Sequence, residues 1–220
     1  MMKRPINLFA LACIAVTSFA AAPHNTLSRD EEVAGWRLLF DGRSLTGWRA
    51  NDQPGTFSVA DGELIVKGPR SHLYYVGEVA EHDFQNFEIS LEVKTWPKAN
   101  SGLYFHTRWQ EQGWPDYGYE VQVNNSHTDP KRTAGLYNVV ENYDAVATDG
   151  EWFTLTVRVE GRRIVTKVNG RVIIDHVEPA DWTPPPNHAG RRIARGTFAI
   201  QGHDPESVIH YRNIKVRVLP

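Results

Sequence analysis

Short runs of β-branched and aromatic residues, each broken by Gly, Pro, Asn or Asp, recur from "GWRLLF" to the end of the chain. Turn signals return about every 8–12 residues, the pattern of an all-β sandwich. In "NFEISLEVKTW", Phe87, Ile89, Leu91 and Val93 alternate with Glu88, Ser90, Glu92 and Lys94, the period of a half-buried strand. "TFSVADGELIVKG" reads as a hairpin turning at Asp61-Gly62. "EWFTLTVRVEGRRIVTKVNGRVIIDHV" reads as three strands turning at Glu160-Gly161 and Asn169-Gly170. "SGLYFHTRW", "GYEVQVNN", "TAGLYNVV", "RGTFAIQGH" and "VIHYRNIKVRVL" complete the series, and no segment holds a helical period for long. "EEVAGW" suits a helical turn and "DWTPPPNHAG" a Pro-rich loop.

The first residues obey other rules. Lys3 and Arg4 precede an apolar stretch from Leu8 to Phe19, and Ala20, Ala21 and Ala22 offer a cleavage site. This is the layout of a secretory signal peptide, too short for a membrane span. The expected organisation is a signal peptide over 1–22, an N-terminal linker over 23–34 and a single domain over 35–220. The expected location is the periplasm or beyond, with no membrane contact after cleavage. Cys13, the one cysteine, lies in the leader, so the mature chain must be held by its core without a disulfide. The full sequence's 24 Lys and Arg against 26 Asp and Glu, with no basic block, argue against a nucleic-acid partner.

Candidate chemistry sits on the strands. Glu88, Glu92 and Lys94 fit an ordinary solvated face. Tyr104 and His106, Glu120 and Gln122, and Tyr137 instead mix aromatic rings with short-range donors and acceptors on consecutive strands. Sugars need that combination of convergent hydrogen bonds and an aromatic platform. The loop "TRWQEQGWPDYG" adds Arg108 as a cation and Trp109, Trp114 and Tyr117 as a stacking wall, or as a cover for the core. Asn100, Ser101 and Gly102 open a strand with turn chemistry or close backbone approach. Phosphate-binding glycine loops, zinc Cys/His sets and nucleophile elbows are not found.

The ordered set "GWRLLFDGRSLTGWRA", "NSGLYFHTR", "YEVQV", "AGLYNVV", "WFTLTVRVEGRRIVTKVNG" and "FAIQGHDPESVIHYRNIKV" resembles the bacterial 3-keto-disaccharide hydrolase domain family over about residues 35 to 218. The resemblance implies a concanavalin A-like jelly-roll sandwich of two antiparallel sheets with a concave ligand-binding face. It also implies cleavage of glycosides oxidised to a ketone at C3. A C3 ketone acidifies the C2 proton, so a base can form an enolate and the C1 substituent can leave, water addition then completing a net hydrolysis. That route needs a base, an electrophile for the enolate oxygen and an acid or cation near the leaving oxygen. It does not need the paired carboxylates of a conventional glycosidase, and "YEVQV" supplies one carboxylate where laminarinase-type strands carry several.

The expected catalytic residues are therefore Glu120, His106 and His203. His106 stands where family members tend to carry an arginine, and His203 follows a Gln…His pattern of the family in "IQGHD". Tyr104, Arg108, Trp114, Gln122, Tyr137 and Arg212 are expected to bind substrate. Arg212 and Asn213 form the near-terminal "YRN" signature, with an internal salt bridge as Arg212's other reading and backbone satisfaction as that of Asn213. No cofactor is evident; a divalent cation on Glu120 with Asp116 or Asp144 stays open, as does the oligomeric state. Two other activities fit the residues: a non-catalytic carbohydrate-binding module, and a conventional glycoside hydrolase, against which the single strand carboxylate weighs.

Overall fold

The computed structural model describes residues 24–220; the leader and Cys13 lie outside them. Thirteen strands form two antiparallel sheets. One sheet runs β11 (Arg171–Val177), β10 (Arg163–Val168), β9 (Phe153–Glu160), β6 (Phe87–Thr95), β13 (Val208–Val218), β4 (Glu63–Lys67) and β3 (Phe57–Ala60), with β1 (Trp36–Leu38) also paired to β13. The other runs β2 (Trp48–Ala50), β5 (Ser71–Tyr75), β12 (Thr197–Gly202), β7 (Ser101–Thr107) and β8 (Tyr119–Val123). Strands distant in sequence are neighbours in both sheets, as a jelly roll requires.

Two of the three expected hairpin turns are in place, while the third lies at Gly161-Arg162, Glu160 being paired with Arg163. Asp61 and Gly62 have φ of 52° and 79°, and Asn169 and Gly170 have 49° and 80°. Positive φ at both central residues matches the right-handed twist of the flanking strands. β6 buries Phe87, Ile89, Leu91 and Val93 and leaves Glu88, Glu92 and Lys94 partly exposed. These residues meet Leu103, Phe105, Tyr119, Val121, Phe198 and Ile200 of the smaller sheet in one continuous core.

Residues 24–34 are docked on the sandwich, where a linker was expected. Ser28 and Glu31 cap helix α1 (Arg29–Val33) reciprocally. Asn25 Nδ2 donates to the Gly62 carbonyl at 2.8 Å, and Asn213 N–H donates to Asn25 Oδ1 at 2.8 Å. "TAGLYNVV" also differs from a regular strand. It makes only isolated bridges, yet its backbone covers the free edge of β8: Gln122 N–H donates to Gly135 O and Tyr137 N–H to Glu120 O, each at 2.9 Å. Among the described residues no helix is long and apolar enough to cross a membrane.

Because inner positions of the smaller sheet belong to the core, the alternate positions share its outer face. These are Gly102 and Tyr104 on β7, Glu120 and Gln122 on β8, Ala199 and Gln201 on β12, and His72 and Tyr74 on β5. Instead of facing solvent they are all buried, because loops 108–118 and 178–196 fold over them.

Candidate functional site

A cleft of about 270 Å³ opens on that outer face, lined by Glu120, Arg191, Gln201, His203 and Trp114 among others. Its floor is an ion pair: Arg191 Nη2 donates to Glu120 Oε2 at 3.0 Å, and both side chains are only 5–6% exposed. The other carboxylate oxygen, Oε1, accepts from Gln201 Nε2 at 2.8 Å. Gln201 Nε2 also reaches the Tyr104 hydroxyl at 3.3 Å. Burial, then the neighbouring Glu120 carboxylate, pushes the Tyr104 phenol well above its ordinary pKa, so it keeps its proton. Gly102 makes room for this arrangement, since a Cβ there would lie 2.7 Å from Glu120 Oε1.

Arg191 reaches the floor because its loop is tied to the loop before β8. Gly118 N–H donates to Gly190 O at 2.9 Å, and Trp182 Nε1 donates to Arg191 O at 2.7 Å. A Cβ at Gly190 would sit 1.8 Å from the Asp116 carbonyl oxygen, so only glycine permits this approach. Ile193 N–H is held at 2.7 Å by the buried carboxylate of Glu178.

The cleft wall carries a second pair. His203 Nδ1 lies 2.7 Å from Asp204 Oδ2, with both side chains about one-third exposed. Asp204 is itself fixed: Oδ2 accepts from Ser207 Oγ at 2.8 Å, and Oδ1 accepts from the Glu206 and Ser207 amides at 2.9 Å. Despite partial burial, the hydrogen bond with His203, and after it those from Ser207 and Glu206, hold its carboxyl below the ordinary carboxylate range. An imidazole donating Nδ1–H to a carboxylate carries its lone pair on Nε2. Nearby, Asn138 Nδ2 and His188 Nε2 are 2.8 Å apart, which orients that amide.

Glu120, His203, Tyr104, Trp114, Gln122 and Tyr137 come together in this cleft, with Asn100 beside them. Three of the residues expected from sequence lie elsewhere. His106 has φ of 56°, and the β7–β12 register shifts there. The extra residue resets the in–out alternation, sending the ring to the end of the core against Phe87 and Phe105, with Nε2 2.9 Å from Gln85 O. Arg108 lies over the Tyr117 ring at 3.8 Å, outside the cleft. Arg212 is on the larger sheet, 2.6 Å from Glu92 and 3.9 Å from the Trp152 ring centre. Asn213 Nδ2 donates to that same glutamate at 2.8 Å.

Asp116 and Asp144 do not line the cleft; the carboxylate that joins Glu120 there is Asp129. The described residues that could hold a cation are His127, His203 and Asp204, with donor atoms within 4.8 Å of one another. They are already engaged, His127 Nδ1 accepting from the Asp129 amide at 3.0 Å and Asp204 as above. A metal at Asp204 would compete with its hydrogen bonds, whereas the Nε2 atom of each imidazole is not used in them.

Arg191, Gln201, Asp129, Asn138 and His188 were missed from sequence. Gln201 was within reach of the period-2 rule, lying on β12 two residues before His203, which follows the strand's end. The others sit in irregular loops, where no period marks which side chains turn inward.

This fold and cleft define a jelly-roll β-sandwich whose smaller sheet presents a buried polar site, and comparison with known proteins gives the family. Residues 35–217 match the 3-keto-alpha-glucoside-1,2-lyase-like domain family, and the chain belongs to it. A 3-keto-disaccharide hydrolase of Bacteroides thetaiotaomicron is 24% identical, the alignment covering 92% of this chain and 84% of the relative. A solved Parabacteroides distasonis structure, provisionally described as a glycosyl hydrolase, superposes with a TM-score of 0.76 at 22% identity, covering 90% of this chain and all of that one. The carbohydrate-binding module CBM66 of Bacillus subtilis shares the fold at a TM-score of 0.57 and 14% identity, over 78% of this chain and 95% of the module. At the family level the chain is a glycoside hydrolase-like protein.

Two predictions follow from the geometry. Glu120→Gln leaves the Arg191 guanidinium buried without its counter-charge and should cost about 3–5 kcal/mol of stability, measured by urea unfolding at neutral pH. Burial holds the His72 imidazole down at about 3 and that of His106 at about 4, so both are neutral in the fold. Below the ordinary value of 6.5 the unfolded chain binds these protons and the folded chain does not, so stability falls as pH falls. Unfolding free energies at pH 7, 6 and 5 should decline with a slope approaching about 2.7 kcal/mol per unit from the two rings together.

Proposed function

We propose that this chain cleaves 3-keto-glycosides by removing the C2 proton and expelling the C1 substituent. The observation that carries the reading is the His203–Asp204 pair on the wall of the cleft floored by Glu120 and Arg191. His203 Nε2 takes the proton from C2. The C–H electron pair moves into the C2–C3 bond and the ketone oxygen becomes an enolate oxygen, stabilised by the fixed charge of Arg191. The enolate collapses as the C1–O bond breaks, leaving a C1–C2 double bond conjugated to the ketone. The imidazolium returns the proton to the departing oxygen, directly or through water. Addition of water across the new double bond, hydroxyl to C1 and proton to C2, yields the free 3-keto-sugar.

Glu120 acts here as a positioning residue. Both of its oxygens already accept hydrogen bonds, one from Arg191 and one from Gln201, an unsuitable state for the nucleophile or acid of a two-carboxylate glycosidase. Gln122, Tyr137, Asn138 and the Trp114 ring supply sugar contacts, the indole being 43% exposed at the rim. The family description and the name of the Bacteroides relative support the 3-keto substrate class. Export to the periplasm or beyond rests on the leader-type segment 1–22 alone.

The test is turnover of a chromogenic 3-keto-glucoside beside its unoxidised counterpart. Release from the keto substrate only, lost by about 100-fold or more in His203→Asn with an unchanged melting temperature, is the expected result. Binding of either sugar without release would identify a carbohydrate-binding module, and release from the unoxidised glucoside a conventional hydrolase.

A further inference from the structure

The cleft ends at the Trp114 ring, but the polar face of the smaller sheet continues beneath it. His72 on β5 is directly across from Gln201 in the strand register, and its side chain is completely shielded from solvent. Neither of its ring nitrogens has a hydrogen-bond partner in the protein, nor does the hydroxyl of Tyr74 two residues on, nor Gln201 Oε1 beside them. The imidazole is enclosed by ring edges and faces, its centre 5.5 Å from Tyr104 and 5.3 Å from Trp114. Buried polar groups are nearly always partnered, and leaving one unsatisfied costs about 1–3 kcal/mol. Four such atoms on adjacent strands, contiguous with the cleft wall, need an explanation that packing does not supply.

The cover over them is anchored at its ends by Trp109, packed on Tyr74 and Tyr104 with the Arg49 guanidinium 3.6 Å from its ring centre, and by the Tyr117–Gly190 bridge. Segment 109–117 is tied to the sheet edge by Gly113 N–H to Asp52 Oδ2 at 2.9 Å, Asn51 Nδ2 to Gly113 O at 3.3 Å, and Asp52 N–H to Glu111 O at 3.3 Å. The Trp114 indole lies between the cleft and His72, part of it in solvent.

We propose that the cleft continues beneath Trp114 onto His72 and Tyr74 as a second sugar subsite, which takes the leaving-group ring of a 3-keto-disaccharide. The inference rests on the cleavage reading above for the identity of the other ring. A neutral imidazole offers one donor and one acceptor, and the phenol can serve as either, which matches vicinal hydroxyls. Burial keeps His72 neutral, Arg70 and His203 adding to the effect. Burial, and after it the Asp116 and Asp52 carboxylates, raise the Tyr74 phenol and disfavour an anionic ring. Trp114 and Tyr104 supply the apolar faces, and rotation of the indole exposes the subsite.

The experiment compares wild type with His72→Phe and His72→Gln on a 3-keto-disaccharide and on methyl 3-keto-glucoside, which lacks a leaving-group ring. The ratio of kcat/KM, disaccharide over methyl glucoside, should fall by about tenfold in His72→Phe, the effect of losing one or two neutral hydrogen bonds. His72→Gln, which restores a donor and an acceptor, should recover part of it. An unchanged ratio overturns the subsite. Replacing an unpartnered imidazole by phenyl should raise the melting temperature; if the larger ring is rejected, His72→Ala makes the comparison with the same expected fall. If wild type cleaves neither substrate, the cleavage reading fails separately, and the subsite is judged by titrating unoxidised methyl glucoside against tryptophan fluorescence. A saturable change lost in His72→Phe upholds it; the same change in both proteins, or none in wild type, overturns it.

Discussion

A guanidinium and a carboxylate, both almost wholly withdrawn from water, meet on the outer face of a sheet that would otherwise be wet. The Arg191–Glu120 pair can exist there only because each partner compensates the other's desolvation, and most of the site's architecture serves that meeting. β8 presents Glu120 outward by strand alternation. Gly102 on the neighbouring strand leaves room for the carboxylate, and Gln201 satisfies its second oxygen. The contact links residues 71 positions apart, so the loop over 178–196 is held across the sheet by a charge as well as by backbone hydrogen bonds. Burial of the floor then follows, and with it the retained proton of Tyr104 and the neutral state of His72.

Such a floor divides the chemistry. A carboxylate that accepts from Arg191 and Gln201 holds geometry, while the histidine that accepts no such burden stands at the wall with its own carboxylate behind it. On the proposed reading, proton transfer falls to His203 and charge stabilisation to Arg191, as an elimination through an enolate requires. The same sandwich in a carbohydrate-binding module shares the fold, so function in this architecture lies in the side chains on one sheet and in the loops over it.

The strands were legible in the sequence because burial on one side of a sheet imposes a period of two. That rule identified Tyr104, Glu120 and Gln122 as companions on one face, and the Asp-Gly and Asn-Gly turns set the hairpins of the larger sheet. It failed at His106, where one extra residue in β7 reverses the alternation without any mark in the sequence. Arginine was the other difficulty. Arg212 lies on a strongly patterned strand and drew attention, yet it faces Glu92 on the opposite sheet. Arg191 lies in "HAGRRIARG", where neither period nor spacing distinguishes it from Arg192, and only the Gly190 contact with the Asp116 backbone aims it inward. His203 was readable; its dependence on Asp204 required the turn that follows β12.

The proposed elimination requires proton removal from C2 of the sugar, and the fate of a deuterium label at that carbon tests it most directly. Incubated with the protein, a 3-keto-glycoside deuterated at C2 should release its aglycone more slowly than the unlabelled substrate, and the liberated 3-keto-sugar should carry hydrogen at C2. Release at an equal rate with the deuterium fully retained would contradict elimination, and with it the roles given to His203 and Arg191.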